Sequence, residues 1–288
     1  MRSSSPPVER ARPLLGTRVA IRVGGLPRAA AHRAIDAAFA EVAAVHARMS
    51  FHDPASDVSR LNREARHRPV RVDPRTLEVL RWSQELARRS GGCFDVTVAA
   101  QLVRWGRLPR PARHAPDPRG SWRDVELRGD GAVRFHRAVW IDLGGVGKGY
   151  AVDRAIERLR GLGVEQACVN AGGDLRVLGP RAEWVRLRPA AGAGRRLAIL
   201  EIADAGVAGS GQDEECRRPG PHVHGRTRRP TAGSRFAWVI AERCVVADAL
   251  TKVVLARGRR SAPLLRDLGA TAHLYRVGRG WRTFGATC

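Results

Sequence analysis

Two glycine-rich corners with polar or charged neighbours stand close together in the chain, at residues 142–148 and 170–174. The first has Asp142 before its glycines and Lys148 after them, and the second reads Asn-Ala-Gly-Gly-Asp. Backbone can approach a ligand closely where no Cβ intervenes. A helix that begins beside such glycines offers free N–H groups and a favourable dipole to an anion. The pattern therefore predicts a binding site for a phosphate-bearing ligand, with Lys148 as an added positive charge.

Three common nucleotide-binding motifs do not match this segment. A P-loop requires Ser or Thr after Gly-Lys, but Gly149 follows Lys148, and the dinucleotide fingerprint requires a glycine where Tyr150 stands. The glycine loop of protein kinases has a different spacing. An ordinary strand–helix turn is the alternative interpretation of one such corner, but two corners with polar neighbours favour a ligand site.

Three elements must position the two corners: an apolar strand ending at Asp142, a helix beginning near Lys148, and a second strand ending at Asn170. Elsewhere, hydrophobic periodicity predicts strands at 17–23, 184–188, 197–202 and 236–241, hairpins at 124–135 and 271–284, and helices at 27–49, 73–90, 247–256 and 261–268. A short helix within 51–62 has Ser56 or Asp57 available as its cap.

The order of these elements favours an α+β fold, because strands and helices are mixed without strict βαβ alternation. We expect a mixed sheet with packed helices, a disordered lead at 1–13 and one domain over 14–288. Residues 203–235 are predicted to form a long irregular region. Long irregular regions in compact proteins usually have a functional role.

The net charge of +23, from 51 basic and 28 acidic residues, raises the question of a nucleic-acid partner. The arginines are scattered through all parts of the chain, and aromatic residues are only 5%, few for stacking on bases. Specific nucleic-acid binding is therefore disfavoured. Only Lys148 and Lys252 are lysines, which indicates that a compact ammonium is needed at these positions, with chance as the alternative.

Five cysteines form no C-x-x-C pair and no zinc spacing: Cys93, Cys168, Cys216, Cys244 and Cys288. No apolar run approaches the ~18 residues of a membrane span, and the first residues lack the apolar core of a signal peptide. These features predict a cytoplasmic protein without a membrane span.

Six motifs occur in one order and together resemble the ApbE family of FAD:protein FMN transferases. They are L-L-G-T at 14–17, M-S-F-H-D-P-A-S-D-V-S-R-L-N at 49–62, G-G-C-F-D-V-T-V at 91–98, D-L-G-G-V-G-K-G-Y-A-V-D with V-N-A-G-G-D at 142–174, S-G at 210–211 and A-D-A-L-T-K at 247–252. The resemblance covers about residues 14–258 and implies a T-fold-related architecture.

The resemblance implies an enzyme that binds FAD with a divalent metal, usually Mg²⁺. Such enzymes cleave the pyrophosphate and attach FMN through a phosphoester to a Thr or Ser of an acceptor protein, releasing AMP. Positive or N–H-rich surroundings stabilise the charge that develops on the phosphate oxygens. The alternatives are an FAD pyrophosphatase that gives FMN and AMP, and a non-catalytic FAD binder with a degenerate metal site.

The resemblance also assigns cofactor-binding residues. Leu15 and Phe51 would contact the flavin or adenine, with core packing as the alternative. Asp142 would hydrogen-bond the cofactor, with helix capping as the alternative. The remaining assigned positions are Cys93, Phe94 and Asp95 in one turn, Lys148 beside the phosphates, and Asn170, Gly172, Gly173 and Asp174 in the second corner.

The implied metal site departs from the family pattern. The resemblance assigns the carbonyl of Gly145 and the carboxylate of Asp248 as ligands, hard oxygen donors that suit Mg²⁺. The family's Thr four residues after this Asp is replaced by Lys252. Either Thr251, one residue earlier on the helix, serves as the ligand, or Lys252 pairs with Asp248 and its ammonium replaces the metal.

The loop at 222–230 departs as well. The family pattern H-x-x-D-P-x-T-G-x-P becomes H-V-H-G-R-T-R-R-P, so the Asp is lost and Arg228 takes the place of the glycine. His222 is the candidate general base for the acceptor hydroxyl, with His224 as the second choice. A loop histidine without a catalytic role is the alternative.

Overall fold

An eight-stranded antiparallel sheet forms the centre of the protein, which is described here as a computed structural model covering residues 6–187, 198–211, 222–231 and 235–286. Along the sheet the strands are β1 (Val8–Leu14), β2 (Thr17–Gly24), β6 (Gln166–Ala171), β7 (Asp174–Leu178), β10 (Gly206–Gly211), β11 (Arg235–Ala241), β12 (Thr271–Arg276) and β13 (Gly280–Gly285). The smaller sheets contain β3 (Val70–Arg71), β5 (Ala132–Phe135) and β4 (Val125–Leu127) in that order, and β8 (Glu183–Leu187) with β9 (Ala198–Ile202).

Seven helices complete the described part of the chain. They are α1 (Arg28–Met49), α2 (Asp57–Glu64), α3 (Pro74–Arg89), α4 (Ala99–Arg104), α5 (Gly147–Gly161), α6 (Cys244–Arg257) and α7 (Ala262–Asp267). The side chain of Ser56 caps α2 by accepting the N–H of Ser59, and Asp73 caps α3. Both helices begin where their polar cap residues satisfy free N–H groups.

The main core lies between one face of the sheet and α1, α5 and α6. In β2, Val19, Ile21 and Val23 alternate inward and are almost completely buried, as the two-residue period of a strand requires. The predicted apolar stripe of α1 packs over them and over α5. On the opposite face, the β8–β9 hairpin covers β7 and β10 with a second apolar cluster. Strand β7 is therefore buried on both faces.

The α+β prediction is confirmed, but every strand pairing in the described residues is antiparallel, so the sheet is not mixed. The expected disorder at 1–13 is wrong for residues 8–13, because β1 pairs with β2 along its whole length. This edge strand has no apolar alternation in the sequence, because Arg10 and Arg12 take the positions opposite Ile21 and Val19 on the helix side of the sheet, where both pair with Asp36 of α1. The single-domain prediction over 14–288 stays a prediction.

Two further expectations are corrected. Residues 203–235 contain β10, whose small residues Gly-Val-Ala-Gly-Ser-Gly hid its strand pattern. Residues 140–142 do not form a strand. Instead, the side-chain amide of Asn62 accepts from the N–H of Ile141 at 2.7 Å and donates to its carbonyl at 2.9 Å, which satisfies the backbone without a partner strand. The predicted ends at Arg188 and Leu197, together with Cys216 and Cys288, lie outside the described residues.

Candidate functional site

A cavity of about 650 Å³ lies where the first glycine corner, the end of β10 and the loop at 222–231 meet. Its size is in the range of small-molecule sites. The predicted residues that line it are Leu15, Phe51, Cys93, Phe94, Asp95, Asp142, Gly145, Lys148, Gly172, His222 and Lys252. The fold thus brings together most of the candidates from seven separated segments of the chain.

The second glycine corner contributes less than expected. Asn170 and Gly173 line a different cavity, beside the β8–β9 hairpin. The Asn170 side chain accepts the N–H of Gly173 at 2.9 Å and so holds the turn between β6 and β7. Gly172 does face the main cavity, and with φ at +65° a Cβ there would lie 2.5 Å from Thr17 Oγ1, so only glycine fits.

The first glycine corner presents a carboxylate to the cavity. Asp142 Oδ1 accepts the N–H of Gly144 at 3.1 Å, and the Asp142 N–H donates to Val96 at 2.8 Å. Helix α5 has Val146 at its N-cap without a side-chain cap, so Asp142 is not the cap of that helix. Burial raises the pKa of Asp142. One face of this carboxyl remains available to a ligand in the cavity.

Lys148 lies between two buried carboxylates. Its ammonium pairs with Asp174 and lies 4.0 Å from Asp248 Oδ2. Burial acts to lower the pKa of Lys148, but Asp248 and Asp174 outweigh it and the pKa is raised, so this lysine stays charged. Asp174 also accepts the N–H of Gly209 at 3.3 Å. Asp174 therefore holds Lys148 and β10 in place rather than facing the cavity.

Lys252 covers Asp248 on the cavity side. Its ammonium pairs with Asp248 Oδ1 and donates to the Asp248 carbonyl at 3.0 Å. Asp248 Oδ2 accepts the N–H of Gly149 at 3.0 Å. Burial acts to raise the pKa of Asp248, but Lys148 and Lys252 together hold it below its usual range. Both lysines of the chain therefore converge on one buried carboxylate.

Thr251 lies below the cavity and is completely buried. Its hydroxyl donates to the Asp248 carbonyl at 2.7 Å and lies 2.8 Å from Ser210 Oγ. The hydroxyl is used to join α6 to β10. It does not face Gly145, which has the Lys252 side chain against it: a Cβ on Gly145 would lie 3.5 Å from Lys252 Cε.

Asp153 fixes the position of α6. Its two carboxylate oxygens accept the N–H groups of Cys244 and Val245, each at 2.9 Å, and Oδ1 also accepts from Arg176 Nη1 at 2.9 Å. Asp153 thus caps α6 from α5. Sequence reasoning missed this role, although Asp153 is the last residue of the D-L-G-G-V-G-K-G-Y-A-V-D motif.

A comparison with protein families identifies the chain. The model of the ApbE family matches residues 15–273, which is most of the sequence. The chain belongs to the ApbE family.

Relatives of known name agree with this membership. The chain is 27% identical to an FAD:protein FMN transferase of Treponema pallidum (strain Nichols), over 92% of the chain and 83% of that protein. It is 28% identical to one of Rhodobacter capsulatus over 90% of the chain, but spans only 49% of that protein.

Solved structures show the same fold. The ApbE protein of Thermotoga maritima superposes with a TM-score of 0.84 at 24% identity, covering 96% of both chains. The flavin transferase ApbE of Vibrio cholerae gives a TM-score of 0.83 at 20% identity, covering 99% of this chain and 98% of that one. No described helix is long and apolar enough to cross a membrane.

The divalent metal implied by the ApbE resemblance does not fit the residues present here. Both Asp248 oxygens are already engaged, Thr251 points to Ser210, and the Lys252 ammonium stands where a cation would meet Asp248 and Gly145. A bound dication would be repelled by that ammonium. Within the described ranges, no group of three His, Cys, Asp or Glu side chains is placed to hold a metal ion.

The two histidines of the ApbE loop occupy different places. His222 lines the main cavity, where burial and the nearby Lys252 and Lys148 lower its pKa to about 3. His224 accepts the N–H of Thr227 at Nδ1, at 3.3 Å, and its Nε2 lies 3.6 Å from Cys93 Sγ. Since Nδ1 is an acceptor, Nε2 carries the proton of the neutral ring. His224 is not among the residues that line the main cavity.

Arg228, which replaces the glycine of the ApbE pattern, keeps a glycine-like backbone with φ at +57°. Its Nη2 lies 2.9 Å from each of three acceptors, Asp95 Oδ2, Thr97 Oγ1 and the Gly120 carbonyl. Asp95 Oδ1 in turn accepts from Thr97. The guanidinium thus anchors the histidine loop to the Cys93–Asp95 turn.

Proposed function

We propose that this protein transfers FMN from FAD to a Ser or Thr hydroxyl of an acceptor protein and releases AMP. One observation carries the proposal: a single cavity combines an apolar wall, a glycine corner with a charged lysine, and a histidine close to the lysines. These are the parts needed to hold a flavin, a pyrophosphate and an attacking hydroxyl. Family membership and the names of the relatives support the same activity.

The apolar wall would bind the ring systems of FAD. Leu15 lies in the β1–β2 turn with φ at +56°, and Phe51 is 7% exposed, so both contribute apolar surface from fixed positions. Phe94 adds a third buried side chain at this wall. The free side of Asp142 would accept a hydrogen bond from the flavin or the ribose.

The pyrophosphate would lie at the glycine corner. Lys148, Lys252 and the N-terminal N–H groups of α5 supply positive potential there. In the transfer step the acceptor oxygen forms a bond to the FMN phosphorus, and the bond from that phosphorus to the oxygen of AMP breaks. AMP leaves with the electron pair, and the hydroxyl proton passes to a base.

We propose that the Lys252 ammonium supplies the positive charge expected of a metal ion, because Mg²⁺ does not fit its implied ligands. The ammonium would stabilise the charge that develops on the phosphate oxygens during transfer. In this proposal Gly145 and Asp248 hold Lys252 instead of a metal, and Thr251 joins α6 to β10.

We propose His222 as the base. A pKa of about 3 in the free protein means that the imidazole is neutral and able to accept a proton at working pH. The pyrophosphate brings negative charge close to the lysines that depress this pKa. Binding of FAD therefore raises the pKa of His222 and makes it a stronger base when the acceptor is in place.

The decisive experiment incubates the pure protein with FAD, with and without a Ser- or Thr-containing acceptor, and follows FMN, AMP and the mass of the acceptor. An acceptor heavier by one FMN, with AMP released in equal amount, is the expected result. AMP and free FMN formed without acceptor would identify a pyrophosphatase instead. FAD binding without turnover in any mixture would identify a non-catalytic binder.

We also propose a cytoplasmic location. Cys93, Cys168 and Cys244 are free thiols in the described residues, and free, dispersed cysteines suit a reducing compartment.

A further inference from the structure

A second cavity, of about 720 Å³, is lined by seven arginines. They come from the histidine loop, β11, the C-terminal end of α6 and the turn after it, β12 and β13: Arg226, Arg235, Arg257, Arg259, Arg260, Arg276 and Arg282. We call this the arginine cavity. No Asp or Glu is among its described lining residues.

None of the ion pairs between described residues includes any of these seven arginines. Five of the seven are exposed, but Arg235 and Arg276 are half-buried. Most other half-buried or buried arginines in the described ranges pair with carboxylates, as Arg176 and Arg228 do. Burial and the neighbouring Arg276 lower the pKa of Arg235. Such a concentration of like charge costs stability and attracts an anionic ligand.

The arginine cavity adjoins the main cavity, in which we propose that FAD binds. Cys93 lines both, and His224 of the arginine cavity is two residues from His222 of the main cavity. A chain that lies in the arginine cavity can therefore place a neighbouring residue beside His222. This is the position that an acceptor hydroxyl must reach.

We propose that the arginine cavity binds acidic residues that flank the modified Ser or Thr of the acceptor polypeptide. The inference rests on the proposed transferase activity for its biological role, but the binding itself does not. Arginine forms bidentate hydrogen bonds with carboxylates, so several Asp or Glu side chains would match the lining. Phe284 is the only aromatic residue among the described lining other than His224, which disfavours single-stranded nucleic acid as the occupant.

The test measures binding separately from transfer. Two short fluorescent peptides contain the same Thr, one flanked by Asp and Glu and the other by Asn and Gln. We expect the full chain, without FAD, to bind the acidic peptide at least about tenfold more tightly by fluorescence anisotropy, with the difference shrinking at high salt. Equal affinities for the two peptides would overturn the proposal.

A pair of variants tests the site. The double variant Arg259→Gln with Arg260→Gln removes two charges from exposed lining positions. Its affinity for the acidic peptide should be about tenfold lower than that of the wild-type protein. The matched control, Arg33→Gln with Arg158→Gln, removes two exposed charges from α1 and α5, outside both cavities. An equal loss in both double variants would show a general charge effect and sink the proposal.

Two further outcomes are informative. If the acidic peptide binds as expected but receives no FMN, the transferase proposal fails and the docking inference stands. If an RNA oligonucleotide binds in an Arg259- and Arg260-dependent way and the acidic peptide does not, the occupant is nucleic acid and the inference is overturned.

Discussion

The ammonium of Lys252 lies 3.0 Å from the main-chain carbonyl of Asp248 and pairs with the carboxylate of the same residue. Lys148 approaches the other carboxylate oxygen at 4.0 Å. The two lysines of an otherwise arginine-based chain thus meet at one aspartate. A compact ammonium fits this buried position, and a planar guanidinium with its wider fork would not.

If Lys252 replaces a metal, the wild-type protein should bind FAD equally well with a chelator or with Mg²⁺. Lys252→Thr restores a hydroxyl four residues after Asp248 and removes the repelling charge. We expect its FAD affinity to fall about tenfold in a chelator and to recover with Mg²⁺, measured by quenching of flavin fluorescence.

Lys252→Met is the control for that variant, because it removes the charge without adding a ligand. Its FAD affinity should fall and should not respond to Mg²⁺. Loss of FAD binding by the wild-type protein in chelator would contradict the replacement of the metal by Lys252.

Removal of His222 tests the base. His222→Ala should lower the rate of FMN transfer about 10²–10⁴-fold with little change in FAD affinity, because general-base assistance is lost. His136→Ala, a surface histidine that pairs with Glu126, should keep the wild-type rate. A His222→Ala enzyme at full rate would remove His222 from the mechanism.

The lowered pKa of His222 predicts how its imidazole titrates with pH. Since its pKa is lowered to about 3, its imidazole resonances in the free protein should not titrate in the range of an ordinary histidine. Lys252→Thr removes one cause of the lowering, so the pKa of His222 should rise in that variant. Titration of His222 near its usual value in the wild-type protein would show that it does not face the lysines.

Arg228 should contribute to stability despite its left-handed backbone. Arg228→Gly relieves a φ of +57°, worth about 1 kcal/mol, but removes three hydrogen bonds to Asp95, Thr97 and Gly120. We expect a net loss of about 2 kcal/mol in the free energy of unfolding, measured by chemical denaturation. Arg229→Gly, at an exposed neighbouring position, serves as the control. A stabilised Arg228→Gly protein would show that backbone strain dominates.

Substitution of Asp153 should lower the free energy of unfolding more than substitution of Glu157 on the same helix. Asp153→Asn leaves Arg176, whose side chain is 5% exposed, without its charge partner and weakens the cap of α6. We expect a loss of about 3 kcal/mol in the free energy of unfolding. Glu157→Gln on the same helix breaks only half-exposed pairs and should cost less than about 1 kcal/mol. Similar losses in both variants would contradict a special role for Asp153.

The sequence by itself determined the family, most elements and most of the cavity residues. Local signals were sufficient for these, since Asp73 and Pro74 begin α3, the stripe of Ile35, Phe39 and Val42 defines α1, and the glycine corners are readable as a phosphate site. The rarity of lysine also pointed to Lys148 and Lys252 before any contact was known.

The tertiary structure decided what those residues contact. It placed both lysines on Asp248, turned Asn170 away from the main cavity, gave Arg228 three acceptors on distant segments, and gathered seven arginines from six elements. None of these relationships lies within a few residues along the chain, apart from the Asp248–Lys252 pair. Sequence periodicity reports which face of an element is buried, but only the packing of elements reports which side chains meet.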